Sequence, residues 1–102
     1  MHEYYQIKGA LIAVLTSAGF RETTERLEPD VFGSAWSEFS DGNKTLRMVW
    51  DGKDGRGFVQ IQKDREWEDI PIYVAEASAV EFARRTDELR DRLSVLLGYR
   101  AT

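Results

Sequence analysis

The glycine-rich segment Asp51–Gly57 is the first place where residue types and spacing suggest chemistry. A calcium loop carries acidic or amide ligands at its first, third and fifth positions, but here these positions hold Asp51, Lys53 and Gly55. A phosphate-binding loop reads G-x-x-x-x-G-K-[ST], or G-x-G-x-x-G before a helix, and neither pattern is present. The segment is therefore predicted to be the tip of a β-hairpin.

Carboxylates and imidazoles offer the other candidate chemistry. Glu66, Glu68 and Asp69 could include a general acid and a general base, but such a pair needs a cleft that separates the two pKa values. We expect them to form a solvated turn instead. The single histidine is His2, and the sequence has no cysteine, which excludes thiolate chemistry and cysteine zinc sites. We expect no catalytic residue, no cofactor and no metal site.

Length, composition and charge restrict the class of protein. A chain of 102 residues with 42% hydrophobic and 31% charged residues is predicted to form a single globular domain, residues 1–102. Its net charge of −4 and the lack of a basic patch argue against nucleic-acid binding. The apolar stretch Ala10–Leu15 is too short to cross a membrane. We expect a cytoplasmic protein, and the excess of arginine over lysine suggests a bacterial source.

Helical periodicity appears at both ends of the sequence. Near the start, apolar residues recur at spacings of three and four, and Gly19 and Phe20 follow as a predicted C-terminal cap. Near the end, Ser78 and Glu81 have the spacing of a capping box. An apolar stripe follows them at Phe82, Thr86, Leu89, Leu93 and Leu96.

Alternating residues between these helices predict four or five antiparallel strands. The predicted strands are Phe20–Glu28, Gly33–Ser40, Lys44–Asp51, Phe58–Lys63 and Trp67–Ala75, the last with Pro71 marking it as an edge or partly paired strand. Short hairpins make sequential strands neighbours. We predict an α+β fold, a two-layer sandwich in which a meander sheet carries the N- and C-terminal helices on one face.

The other face of the sheet holds the candidate binding residues. Strand alternation turns Trp36 and Glu38 outward, and it turns Phe58 to the side opposite Val59 and Ile61. Residues 22–41 contain six acidic residues against one arginine. We interpret Trp36 as the apolar anchor of a partner-binding surface that includes Phe58, and the acids Glu25, Glu28, Asp30 and Glu38 as a rim that steers a basic partner.

These features favour a non-enzymatic protein-binding module that presents an acidic, aromatic-bearing sheet surface. Many bacterial accessory proteins share this general plan, including immunity proteins of toxin systems, which suggests an inhibitor or accessory role by analogy of fold alone. Two alternatives remain. A small-ligand-binding protein would use a pocket between sheet and helices, and a homodimeric structural protein would cover the open face with its own copy.

Overall fold

A computed structural model of the protein describes residues 2–75 and 78–98, and it has the predicted α+β architecture. In the described part of the chain, neither helix combines the length and apolarity that a membrane span requires. The elements in chain order are α1 (Glu3–Ser17), β1 (Arg21–Glu28), β2 (Ser34–Ser40), β3 (Thr45–Asp51), β4 (Arg56–Lys63), β5 (Glu66–Asp69), β6 (Val74–Ala75) and α2 (Ala79–Leu96).

Helix α1 begins and ends where its sequence predicts. The His2 Nδ1 accepts a hydrogen bond from the Tyr4 N–H, which caps the first turn. At the other end Gly19 adopts a φ of 87°, and the Phe20 N–H donates to the Leu15 carbonyl at 2.8 Å. This is the Schellman arrangement, which glycine permits because it has no Cβ to clash at positive φ. The helix therefore stops abruptly and the chain turns directly into β1.

The sheet is an antiparallel meander in the order β1-β2-β3-β4-β5, and β6 also pairs with β4. The predicted single strand Trp67–Ala75 is wrong in one respect, because it is split into β5 and β6. Between them the Ile72 N–H donates to the Ile70 carbonyl at 2.7 Å, closing a three-residue turn around Pro71. Proline cannot donate to a ladder, so the strand leaves β4 at this point and returns to it at Val74.

The core lies between the sheet and the two helices. Helix α1 packs across β2, β3 and β4, while α2 packs beside α1 and against β6. The inner positions of β2 and β3 and Val59 of β4 are buried, and Ile61 of β4 is partly buried. Ile70, Ile72 and Val74 are also buried. On α2 the predicted stripe is buried through Leu93, but Leu96 is 46% exposed, so its assignment to the core is wrong. Leu97 packs against the core in its place.

The loop before β2 packs on the loop after β3 through their backbones. A Cβ added at Gly52 would lie 1.9 Å from the Phe32 carbonyl oxygen. A Cβ added at Gly57 would meet the tip of the Ile7 side chain, Cδ1, at 2.5 Å. A side-chain tip can rotate away, whereas the backbone of a packed loop cannot move without disturbing its neighbours.

We predict that Leu89→Ala and Leu93→Ala each destabilise the protein by roughly 2–5 kcal/mol, because both side chains are fully buried. Leu96→Ala is the matched control on the same helix, and its exposed position predicts a loss within about 0.5 kcal/mol. Urea denaturation of the three variants measures these losses. Equal losses at Leu96 and Leu93 would contradict the packing of α2 described above.

A second comparison concerns the two crowded glycines. We predict that Gly52→Ala costs roughly 3 kcal/mol or more, while Gly57→Ala costs roughly 1 kcal/mol, because only the first forces two backbones apart. Both variants add one methyl group, so each serves as the control for the other. Thermal and urea unfolding of the pair would refute the loop contact if Gly52→Ala proved the milder change.

Candidate functional site

The face of the sheet that carries no helix presents a row of apolar side chains. Trp36 of β2 lies directly opposite Val49 of β3, and Val49 lies directly opposite Phe58 of β4. All three side chains are partly buried by their lateral neighbours. The outward orientation that alternation predicts for Trp36 and Phe58 is thus found, and their strands are in register.

Arg47 is the centre of this face. Its guanidinium lies 5.0 Å from the ring centroid of Trp36 and 4.0 Å from that of Trp67, so both rings stack on one cation. The same guanidinium donates to the Glu38 carboxylate at 2.8 Å. Its Nε is buried, and it has no hydrogen-bond partner within the described residues. Sequence reasoning missed Arg47 and did not assign Trp67 to this face, although strand parity alone turns Arg47 outward between Leu46 and Met48.

A second aromatic pair continues the face over β4. The rings of Phe58 and Tyr73 are 5.6 Å apart, and the Arg56 guanidinium lies 4.7 Å from the Tyr73 ring. The Tyr73 hydroxyl donates to Asp69 at 2.7 Å, a bond that raises the pKa of Tyr73 because it stabilises the protonated hydroxyl. Gln60 donates to the same carboxylate at 2.9 Å. Sequence reasoning missed Tyr73, although its alternation with the buried Ile72 and Val74 turns it outward.

The charges on this face are balanced. By strand register, four basic and four acidic side chains point outward; they are Arg21, Arg26, Arg47 and Arg56 with Glu28, Glu38, Asp51 and Asp69. The chain as a whole carries a net charge of −4. Most of the acidic excess of the first hairpin therefore lies elsewhere on the molecule.

Glu25 shows where part of that excess lies. A bulge between Glu22 and Thr24 shifts the register of β1, so that Glu22 and Glu25 both turn toward α1 instead of joining Trp36. Lys8 of α1 pairs with both carboxylates, at 2.6 Å to Glu25. The predicted site residues are thus divided. Trp36, Glu38 and Phe58 share the uncovered face, and Glu25 lies on the opposite side of the sheet.

The side chains around Glu25 form a polar clamp between α1 and the first hairpin. The Tyr4 hydroxyl donates to Glu25 at 2.9 Å and hydrogen-bonds the buried Ser37 hydroxyl. Burial, with the bond to Glu25, raises the pKa of Tyr4 to about 12. Burial alone would lower the pKa of Lys8, but its bonds to Glu22 and Glu25 outweigh this and raise it. The Lys8 and Tyr4 bonds lower the pKa of Glu25.

These directions describe a structural connection between helix and sheet. Each shift keeps its group in the form seen at neutral pH, with a protonated amine, a neutral phenol and an ionised carboxylate. A nucleophile or general base needs the opposite tendency, since it must lose or accept a proton near neutral pH. The clamp is therefore suited to hold α1 on β1 and β2.

The remaining predicted residues lie where β1 ends. Asp30 is exposed in the β1–β2 loop, and Glu28 is partly buried beside an apolar cavity of about 210 Å³. A larger, open groove runs between α1 and α2, with Glu3, Thr86 and Asp87 among its lining residues. Within residues 2–75 and 78–98 there is no group of three or more His, Asp or Glu side chains that could hold a metal ion.

The pH dependence of stability tests the clamp. Because the folded pKa of Tyr4, about 12, exceeds its ordinary value of 10.0, stability is fully present below pH 10 and falls as the pH rises toward 12. We predict a loss of roughly 2 kcal/mol over that window, and a smaller loss in Tyr4→Phe. Urea unfolding at pH 8 to 12 measures it. Tyr5→Phe, an exposed control on the same helix, should keep the wild-type slope, and an unchanged slope in Tyr4→Phe would refute the clamp.

Comparison with known proteins yields one weak likeness. No family model and no solved structure matches the chain. The tRNA modification GTPase MnmE of Shewanella amazonensis is 26% identical over 89 residues, which cover 87% of this chain and 19% of MnmE. The chain thus spans about a fifth of the length of the protein it matches. In the present chain, the Gly52-Lys53 pair is followed by Asp54 and lies in a hairpin, so this segment does not form a G-x-x-x-x-G-K-[ST] phosphate loop.

Proposed function

We propose that the protein is a non-enzymatic protein-binding module whose contact surface is the uncovered sheet face. The observation that carries the proposal is the cluster of four aromatic rings stacked on two arginines, namely Trp36, Phe58, Trp67 and Tyr73 with Arg47 and Arg56. Tryptophan, tyrosine and arginine are the residue types that most often dominate the binding energy of protein interfaces. The proposal keeps the cytoplasmic setting and the inhibitory or accessory role that composition and fold plan favour.

The stacked arginines favour a protein partner because they prepare the face for desolvation. A guanidinium that already lies on a ring has given up part of its hydration and has lost side-chain freedom before binding. A partner that covers the Trp36–Val49–Phe58 row would therefore bury apolar area without ordering many new side chains.

Nucleic acid fits this face less well. Binding to a phosphate backbone draws its affinity from excess positive charge, whereas the outward charges here cancel. Single strands also need free ring faces on which bases stack. Trp36 and Trp67 give a face to Arg47, and Tyr73 gives one to Arg56. Because the charges balance, the centre of this face favours neither an acidic nor a basic partner. Charged residues at its margins would determine that preference.

A matched pair of substitutions tests the proposal. Val49→Arg places a long charged side chain in the centre of the apolar row, and Val95→Arg makes the same change at a 75% exposed position on α2. Immobilised wild-type protein is used to capture proteins from an extract of its native host. We predict that it captures at least one protein that immobilised Val95→Arg also captures. Val49→Arg should reduce the retention of that protein about tenfold or more, because it leaves a bulky charge in the contact.

The measurement is quantitative mass spectrometry of the captured proteins, with melting curves to show that both variants fold. Identical capture by all three proteins would refute the sheet face as the contact surface. Size-exclusion chromatography with light scattering gives the oligomeric state of each protein. If the wild-type protein is a dimer and only Val49→Arg is monomeric, the partner at this face is a second copy of the chain and not a different protein.

A further inference from the structure

Exposed apolar side chains cluster where β1 leads into β2. Leu27 is 52% exposed, Val31 49% and Phe32 69%, and the Tyr5 ring of α1 is exposed nearby. We call Leu27–Gly33 together with Tyr5 the loop end. Isolated exposed apolar residues are ordinary, but a contiguous group of this kind marks an interaction surface. The loop end adjoins the uncovered sheet face, since Glu28 pairs with Ser34 two residues from the Arg26–Trp36 pair.

The structure holds Phe32 in this exposed position. Its φ is 55°, which is rare for a bulky residue and costs conformational energy. The Ser34 N–H donates to the Val31 carbonyl at 2.9 Å, and the Gly52 N–H donates to the Ser34 hydroxyl at 3.0 Å. The contact of the Phe32 carbonyl with Gly52 completes the bracing. Two loops thus fix a conformation that leaves a large ring facing solvent.

An apolar cavity lies between the N-terminal part of α1 and the same loop. Its volume is about 210 Å³, and rings and apolar side chains supply much of its lining, among them Tyr4, Tyr5, Leu27 and Pro29. A cavity of roughly 150 Å³ is enough to hold benzene. The cavity can therefore accept a phenylalanine- or leucine-sized side chain from another molecule.

An acidic residue lies at the edge of this cavity. Glu28 is among the lining residues, but strand register turns its side chain toward the uncovered face, and its carboxylate makes no hydrogen bond or ion pair with any described residue. Asp30 follows two residues later, and no basic residue occurs in the segment Leu27–Gly33. A ligand suited to this site carries an apolar group for the cavity and positive charge for the two acids. A second copy of the chain fits poorly, because a two-fold axis at the loop end would bring its own Glu28 and Asp30 against these.

We propose that the loop end binds a short segment of a basic protein, with a large apolar side chain in the cavity and a flanking lysine or arginine beside Glu28 and Asp30. This inference rests on the proposed protein-binding function and assigns the partner's chemistry. The outward charges of the sheet face cancel, whereas Glu28 and Asp30 give the loop end a negative charge that can attract a basic partner. Leu27 and Tyr5, which line the cavity and are exposed, then contact the inserted side chain.

Capped tripeptides test the site without knowledge of the partner. The probes are acetyl-Arg-Phe-Arg-amide, acetyl-Arg-Ala-Arg-amide and acetyl-Glu-Phe-Glu-amide, titrated into ¹⁵N-labelled protein and followed by NMR. We predict that the first shifts the amide signals of Tyr5, Leu27 and Gly33 in a saturable way. The other two should bind at least about tenfold more weakly, since one lacks the apolar group and the other carries like charge.

Matched charge variants identify the acids responsible. Glu28→Gln with Asp30→Asn should weaken the first peptide about threefold to tenfold, the range expected for two partly exposed ion pairs. Asp64→Asn with Glu66→Gln makes the same net charge change at the exposed β4–β5 turn and should leave the affinity unchanged. Equal weakening by both pairs would reduce the effect to overall charge and overturn the proposal.

Further outcomes separate this inference from the proposed function. Benzylamine binding as tightly as the arginine peptide would make the cavity a small-amine site, and concentration-dependent shifts without peptide would indicate a second copy. Either result overturns the proposal. If Val49→Arg loses a captured partner while no peptide binds, the sheet face stands and the loop end fails. Peptide binding together with unchanged capture by Val49→Arg supports the loop end alone.

Discussion

Both helices pack as one layer on the same side of the sheet, and this arrangement determines which strand side chains are buried. Tyr4 connects that layer to the sheet, because its ring is completely buried while its hydroxyl bonds Ser37 and Glu25 on two different strands. Once α1 is fixed there, strand alternation assigns each side chain of β2, β3 and β4 to the core or to water. The uncovered face is thus a consequence of where the helices lie.

A face left without helices must still shield its large side chains from water. This protein does so laterally, by laying Arg47 between two tryptophans and Arg56 over a tyrosine. The alkyl stems of the arginines cover ring area, and the guanidinium groups keep the surface polar. The arrangement leaves the Nε of Arg47 buried without a partner in the described residues, which costs free energy.

The sequence predicted the elements and the faces well because both follow from local periodicity. The Gly19–Phe20 cap, the Ser78 cap and the alternation through Leu46, Met48 and Trp50 are short-range signals. The failures arose where one residue breaks the period. The bulge in β1 moved Glu25 to the helix side, and the turn at Pro71 divided the last strand. Neither the bulge nor the divided strand can be predicted from local propensity in one sequence, because pairing with a neighbouring strand determines where each occurs.

The loop end was hidden from sequence reasoning for a related reason. Val31 and Phe32 in a short loop resemble ordinary connecting residues, and only the backbone contact at Gly52 shows that they are held outward. The position of Val31 and Phe32 changes how the acidic residues of the first hairpin are interpreted. Its acids serve two purposes, because Glu22 and Glu25 neutralise Lys8 within the fold, whereas Glu28 and Asp30 remain beside the apolar margin. Lys8 cancels one of the two charges of Glu22 and Glu25, and Arg47 cancels that of Glu38, whereas Glu28 and Asp30 add two unpaired charges that can guide a basic partner to the loop end.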